Sequence, residues 1–60
     1  MEQYRFFFLD DQSHIHTVQT VEALNDEAAI AEAYKLLNGQ NTYQIAELWQ
    51  LKRRVAQLRA

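Results

Sequence analysis

Two histidines have the only spacing in this sequence that suggests metal chemistry. His14 and His16 are two residues apart, so on a β-strand both imidazoles lie on one face and can approach a single ion. Asp10 and Asp11 precede them and could add a carboxylate, and histidine is a common ligand of zinc. Two histidines beside a turn more often face solvent, so we expect no bound metal and no cofactor.

A second group of residues could bind nucleic acid. Residues 1–47 carry all eight carboxylates and two of the six Lys and Arg residues, whereas residues 48–60 carry four bases and no acid. Basic side chains could hold a phosphate backbone while a base stacks on Trp49 or Tyr43. These side chains are Lys52, Arg53, Arg54 and Arg59. The net charge of −2 opposes phosphate binding, so nucleic acid is the alternative partner and not the expected one.

No combination of residues predicts catalysis. Asp10 and Asp11 are adjacent in the sequence, so their carboxylates diverge, and we interpret them as turn formers. Ser13 has only His14 and His16 near it, which are local neighbours and not a base from across a pocket. The chain has no Gly-rich phosphate loop and no cysteine. A single chain of 60 residues can scarcely enclose a pocket of roughly 300 Å³, so we expect no enzyme.

Size and composition predict one small globular domain, residues 1–60. Apolar residues make up 48% and charged residues 23%, as in ordinary globular proteins. A core of this size is marginal, and without disulfides its usual support is association with another chain. No apolar run approaches the roughly 20 residues that cross a bilayer. The N-terminal run is interrupted by Arg5 and ends at Asp10, unlike a signal peptide, so we expect a cytoplasmic location and no membrane.

The segment Tyr4–Leu9 predicts the first strand, because it is dense in aromatic residues. Tyr4, Phe6 and Phe8 share one face, and Phe7 and Leu9 share the other. Apolar residues at both parities predict a central strand that is covered on both faces.

The middle of the chain predicts a turn, a strand and a helix. Asp10–Ser13 favours a turn, and the soft alternation of His14–Ala23 is typical of an edge strand or of one with a bulge. Asn25 is a suitable N-cap for a helix over Asp26–Asn38, in which small residues would let the helix approach a sheet closely. Gly39 suits the left-handed position that follows a helix.

The C-terminal third supports two interpretations. Residues 43–50 alternate as a strand does, with Tyr43, Ile45 and Trp49 at one parity. However, Leu48, Leu51, Val55 and Leu58 have helical spacing, and residues 46–60 tolerate a helix. We favour a strand for residues 43–50 and leave residues 51–59 open between a returning strand and a helical turn.

These segments together resemble a family of short uncharacterised bacterial proteins, a domain of unknown function. The resemblance spans nearly the whole chain. It rests on Tyr4-Arg5-x-x-Phe8-Leu9-Asp10, His14-Ile15, the alanine-rich helix, Glu47-Leu48-Trp49-Gln50, Arg54-Val55 and Leu58. It implies a strand at Glu47–Val55, with glycines after the Trp-Gln pair and before the His-Ile pair. This chain has Leu51 and Ser13 at those two positions.

The expected fold is α+β, a small ββαβ(β) domain. Its three or four mainly antiparallel strands have the order 2-1-3, and one helix packs on one face of the sheet. The other face then displays either Phe7 with Leu9, or Tyr4 with Phe6 and Phe8. An exposed apolar patch usually marks an interface, and a second copy is its simplest cover. We therefore expect a non-enzymatic interaction module, a homodimer or the partner of another protein, with interface residues among Tyr4, Phe6, Phe7, Phe8, Leu9 and Trp49.

Overall fold

The computed structural model describes residues 1–60 and contains four strands and one helix in the order ββαββ. The elements are β1 (Glu2–Leu9), β2 (Ile15–Ala23), α1 (Asp26–Asn38), β3 (Ile45–Gln50) and β4 (Arg53–Arg59). The strands form one antiparallel sheet with the order β2-β1-β3-β4. The predicted α+β fold and the 2-1-3 order are therefore confirmed, and β4 lies at the edge beyond β3.

The hydrophobic core lies between α1 and one face of the sheet. Three aromatic residues of β1, Tyr4, Phe6 and Phe8, point towards the helix and are buried. Ala29 and Ala33 of α1 are fully buried against them, which agrees with the predicted close approach of the helix. The other members of this core are Val21, Ala23, Leu37, Ala46, Leu48 and Leu58. β1 lies inside the sheet, as predicted, and within one chain the single helix covers only one of its faces.

Helix α1 begins at the predicted cap but ends differently from the prediction. The Asn25 side chain accepts a hydrogen bond from the Ala28 backbone N–H at 2.9 Å, and Asp26 and Glu27 occupy the first turn. Gly39 does not adopt the predicted left-handed conformation, since its φ is −82°. Its backbone N–H donates to the Lys35 carbonyl at 3.0 Å. A Cβ on Gly39 would lie 3.1 Å from that carbonyl oxygen, so the glycine avoids crowding there.

The β1–β2 connection is a tight hairpin turn. The Asp10 backbone N–H donates to the His14 carbonyl at 3.1 Å, and the Ser13 N–H donates to the Asp10 carbonyl at 3.0 Å. Ser13 has a φ of 66°, which is the left-handed conformation that ends a three-residue hairpin loop. A bulge follows in β2, because Phe8 pairs with Thr17 whereas Leu9 pairs with Ile15.

Residues 51–59 form a turn and a returning strand, which settles the alternative that the sequence leaves open. Leu51 and Lys52 make a two-residue turn between Gln50 and Arg53, and Leu51 has a φ of 54°. The pairing shifts between Leu48 and Trp49, where β4 contains an extra residue. The extra residue changes which face of the sheet the following side chains occupy. Two strands joined by a turn therefore place apolar residues at intervals that match a helix.

The structure contains no helix that could cross a membrane, since α1 is only 13 residues long and no other helix is present.

Candidate interaction surface on the open sheet face

The sheet face opposite α1 has no element packed against it, and we call it the open face. Strand pairing aligns most of its side chains in three rows that run from β2 through β1 and β3 to β4. The Arg5 row is Thr20, Arg5, Trp49 and Arg54; the Phe7 row is Val18, Phe7, Glu47 and Gln57; and the Leu9 row is Ile15, Leu9, Ile45 and Arg59.

Apolar side chains dominate the middle of the open face. Leu9 is only 4% exposed although it lies outside the core cluster, and its register partners on both sides are Ile15 and Ile45. Phe7 is half-buried, and its neighbour Val18 is 54% exposed. Ile15 is 58% exposed. The open face is therefore an apolar strip whose centre is partly protected and whose β2 side is uncovered.

One carboxylate organises the polar part of this face. Glu47 accepts a hydrogen bond from the Trp49 indole Nε1 at 2.9 Å and another from Gln57 Nε2 at 3.3 Å. Arg54 Nη1 lies 3.6 Å from Glu47 Oε2. These contacts hold Glu47 among its own neighbours and satisfy the indole N–H. Arg5 and Arg59 take part in none of the ion pairs of the chain.

The open face contains a groove with a volume of about 600 Å³. Phe7 and Trp49 contribute to its lining, and Arg5 and Glu47 place opposite charges beside it. Leu51, in the turn beyond β3, also lines the groove and is 95% exposed. This groove is open and not enclosed, so it leaves the expectation that the chain can scarcely enclose a pocket untested.

The predicted interface residues lie partly in the core and partly on the open face. Tyr4, Phe6 and Phe8 lie in the core beneath α1, so they are not available on the surface of this chain. Phe7 and Trp49 lie half-buried on the open face, and Leu9 lies beneath its surface.

Sequence reasoning omitted several residues of this face: Arg5, Ile15, Val18, Glu47 and Leu51. A predicted hairpin register that paired Phe7 with Val18 would have indicated that Ile15 and Val18 of β2 lie on this face.

The four C-terminal bases do not form one patch. Arg53 lies on the helix side, where Nη1 and Nη2 donate to the two Asp26 oxygens at 2.9 and 3.0 Å. Lys52 occupies the turn, and Arg54 and Arg59 lie near opposite ends of β4. Strand alternation separates neighbouring residues, and this separation disperses a cluster that looks continuous in the sequence.

Asp26 joins Arg53 to the core. Tyr4 donates its hydroxyl hydrogen to Asp26 Oδ1 at 2.8 Å. The hydrogen bonds from Arg53 and then from Tyr4 lower the pKa of the Asp26 carboxyl. Burial, followed by the hydrogen bond to Asp26, raises the pKa of Tyr4. This arrangement ties β1, the start of α1 and the start of β4 together, and it accounts for Arg53 as a structural residue.

The two histidines do converge on Asp10, as a metal site would require. Asp10 Oδ2 lies 2.7 Å from His16 Nε2 and 3.4 Å from His14 Nδ1. Its Oδ1 accepts the backbone N–H groups of Gln12 and His14, each at 2.9 Å. The His16 ring and the two backbone N–H groups form hydrogen bonds with this carboxylate, and the His14 ring lies at ion-pair distance from it. No group of three His, Cys, Asp or Glu side chains has an arrangement that could hold a metal ion.

Asp10 therefore acts as the anchor of the hairpin turn. The hydrogen bond from His16, followed by that from the His14 backbone, lowers the pKa of its carboxyl. The His16 ring also stacks on Tyr43, with centroids 5.2 Å apart, and Tyr43 stacks on Phe8 at 5.4 Å. The turn is in this way connected to the core.

Comparison of the chain with models of protein families, with curated proteins and with solved structures finds no match. The resemblance to short bacterial proteins therefore stays a prediction, and the function must be argued from the surface itself.

Proposed function

We propose that this protein is a small non-enzymatic interaction module that self-associates through the open face of its sheet. The observation that carries the proposal is the uncovered apolar strip, in which Phe7 and Trp49 are half-buried and Ile15 and Val18 are more than half exposed. Apolar surface of this kind, bordered by charged residues, is typical of protein interfaces.

The β3–β4 turn supports the same proposal. Leu51 is 95% exposed and has a left-handed φ of 54°, a conformation that costs about 1–2 kcal/mol for a residue with a Cβ. Glycine would avoid this cost, and the leucine side chain gains almost no burial within its own chain. Contact with a second molecule would give the side chain an apolar environment.

The size of the core also favours association. Only 12 of the 60 residues are buried, so the chain has few apolar contacts to offset the entropy lost on folding. Covering the open face would remove Phe7 and its apolar neighbours from water. A homodimer can therefore add to the stability of both copies.

Analytical ultracentrifugation over a range of micromolar concentrations tests self-association. We expect the wild-type chain to approach twice its 7.1 kDa mass as the concentration rises. Val18→Glu and Phe7→Glu should sediment as folded monomers, because each places a charge within the apolar strip. Gln19→Glu adds the same charge on the other side of β2 and should leave the dimer intact. A 7.1 kDa wild-type species at every concentration would refute the proposal.

Single-stranded nucleic acid is the second candidate partner. Arg5, Arg54 and Arg59 share the open face with Phe7 and Trp49, which is a combination that can bind phosphate and stack bases. Against it, Arg54 lies beside Glu47 and the chain has a net charge of −2. Titration of labelled single-stranded and duplex DNA and RNA should show binding that weakens steeply with salt if this function is correct. Flat titrations at low salt exclude it.

The resemblance and the cysteine-free composition support a bacterial, cytoplasmic setting as part of this proposal. Fractionation of bacterial cells that express the tagged chain tests the location, and recovery in the periplasm or the membrane would contradict it.

A further inference from the structure

The dimensions of the open face restrict how a second copy can cover it. The two longest dimensions of the molecule are 30 and 23 Å, so the open face covers at most about 690 Å² in projection. A standard stable interface buries about 800 Å² on each partner, and the lower end of that class is about 600 Å². A dimer formed through this face must therefore use nearly all of it. The two-fold axis then passes close to the centre of the face, between β1 and β3.

Two aligned arrangements satisfy this condition. Sheets that pack face to face keep their strand directions within about 30° of each other. A central two-fold axis that lies in the interface can run across the strands or along them. When the axis runs across the strands, the Phe7 row lies over the partner's Phe7 row, and the Arg5 row lies over the partner's Leu9 row. Along the strands, each row lies on the same row of the partner, with β1 over the partner's β3.

Charge excludes the axis that runs across the strands. In that arrangement Glu47 lies over the partner's Glu47, and Arg54 lies over the partner's Arg59. Like charges brought together at an interface cost several kcal/mol, and a two-fold axis repeats the Arg54 contact. The axis along the strands makes neither contact. β4 then lies over the partner's β2, where the three rows contain only Thr20, Val18 and Ile15. Glu47 lies over the partner's Phe7, with its carboxylate bound by Trp49 and Gln57 of its own chain.

The remaining arrangement makes a favourable pair on each side of the axis. Arg5 of β1 lies over the partner's Trp49, whose indole N–H is already bound to Glu47 and whose ring is half-buried. Arg5 has no ion pair within its own chain, so its guanidinium is available for a cation–π contact. In the Leu9 row, Leu9 lies over the partner's Ile45.

We propose that the second copy docks on the open face with its strands running in the same direction, about a two-fold axis between β1 and β3, so that Arg5 of each copy contacts Trp49 of the other. This inference rests on the proposed self-association and specifies its geometry. Sheet twist separates the rows towards the corners, so the contacts nearest the axis carry the arrangement.

Crosslinking of the cysteine-free chain distinguishes the two axes. Thr20→Cys/Arg54→Cys places thiols on the two edge strands, three strands apart within one chain but facing each other across the proposed dimer. We expect a bismaleimide to convert this variant into a covalent dimer at low micromolar concentration. The reagent must be long enough to bridge the gap opened by sheet twist at the corners, but shorter than the three strand spacings between the two sites of one chain. The matched variant Ile15→Cys/Thr20→Cys should stay largely monomeric on a denaturing gel, because its thiols, both on β2, meet only under the other axis. This variant keeps Arg54 and Arg59, whose like charges disfavour that axis.

Each outcome supports or overturns a specific claim. Covalent dimers of Ile15→Cys/Thr20→Cys alone would replace the proposed axis by the other one and leave self-association standing. A dimer seen by sedimentation without crosslinks in either variant would overturn the aligned geometry. Monomeric sedimentation of the wild-type chain at all concentrations would overturn both the geometry and the proposed function.

The Arg5–Trp49 contact has its own test. Arg5→Ala should raise the dissociation constant of the dimer about 5- to 30-fold, because two equivalent cation–π contacts are lost from each dimer. Lys52→Ala removes a base from the β3–β4 turn and should leave the constant within about twofold. An unchanged constant for Arg5→Ala would refute the contact.

Discussion

Two residues other than glycine have an unfavourable backbone conformation, and both lie in hairpin turns. Ser13 and Leu51 are the only residues other than glycine with a positive φ. Glycine is the residue that usually occupies such positions, because it has no Cβ. Both turns therefore have a geometry that suits glycine but contain a residue with a side chain.

Ser13→Gly should stabilise the chain. Removing the Cβ relieves the strain of a left-handed conformation, which costs about 1–2 kcal/mol. The greater flexibility of glycine in the unfolded chain offsets about half of that gain. We expect the free energy of unfolding to rise by about 0.5–1 kcal/mol in urea denaturation. Gln12→Gly, at a neighbouring position without a positive φ, should lower it. A loss of stability in Ser13→Gly would show that its side chain contributes more than its backbone conformation costs.

Asp10 gives the stability a defined dependence on pH. Because the folded chain lowers the pKa of this carboxyl below its ordinary value of 3.8, the ionised form stabilises the fold. This contribution is fully present above the ordinary pKa and is lost as the pH falls through and below it. Asp10→Asn should therefore be less stable than the wild-type chain near pH 6, with a difference that shrinks towards pH 2. Urea denaturation at several pH values measures the difference.

Asp11→Asn is the matched control, because Asp11 is exposed and takes part in no ion pair. Its stability relative to the wild-type chain should change much less with pH. A constant difference between Asp10→Asn and the wild-type chain over the whole range would contradict the role of the Asp10 charge.

Among the elements, α1 was the best predicted, and its packing explains why. Its cap, its acidic first turn and its length all follow from local signals at Asn25, Asp26 and Asn38. Ala29 and Ala33 are fully buried because the helix lies close to the sheet. The helix is thus specified both by its own sequence and by the space above β1.

Enlarging one of these alanines should disrupt the packing. Ala33→Leu places three more carbon atoms in a position that has no exposed surface, and overpacking of this kind costs about 1–3 kcal/mol. Ala31→Leu makes the same change at an exposed position of α1 and should be nearly neutral. Equal stability of the two variants in chemical denaturation would indicate that the helix can move away from the sheet without loss.

The strands were predicted less completely, for identifiable physical reasons. Both parities of Tyr4–Leu9 are apolar, so this segment alone does not indicate which face the helix covers. The pairing decides it: Val21 and Leu48 continue the face of Phe6, whereas Thr20 and Glu47 interrupt the face of Phe7. The helical spacing of Leu48, Leu51, Val55 and Leu58 arises from a turn and a bulge. No glycine marks either of them in the sequence.

At the scale of the whole molecule, a small core and an uncovered face are two aspects of one arrangement. A single helix buries one side of a four-stranded sheet, and the other side keeps its apolar strip. The fold could be predicted because it depends on local patterns and chain order. The candidate interaction surface could be only partly predicted, because Ile15 and Val18 become part of the open face through long-range pairing.

Self-association should link the thermal stability to concentration. If folding and dimerisation are coupled, the wild-type Tm rises as the protein concentration rises, since only the folded chain forms the interface. The monomeric variant Val18→Glu should have a Tm that does not depend on concentration. Differential scanning calorimetry at several concentrations measures both, and a wild-type Tm that stays constant would contradict the coupling.

The position of Trp49 also makes the chain its own optical probe. It is the only tryptophan, it lies half-buried on the open face, and its indole N–H has a fixed partner in Glu47. Any molecule that covers this face would remove water from the indole ring, shift its fluorescence emission to shorter wavelength and shield it from acrylamide quenching. Occupancy of the face can therefore be followed in the unlabelled protein, whatever the partner is.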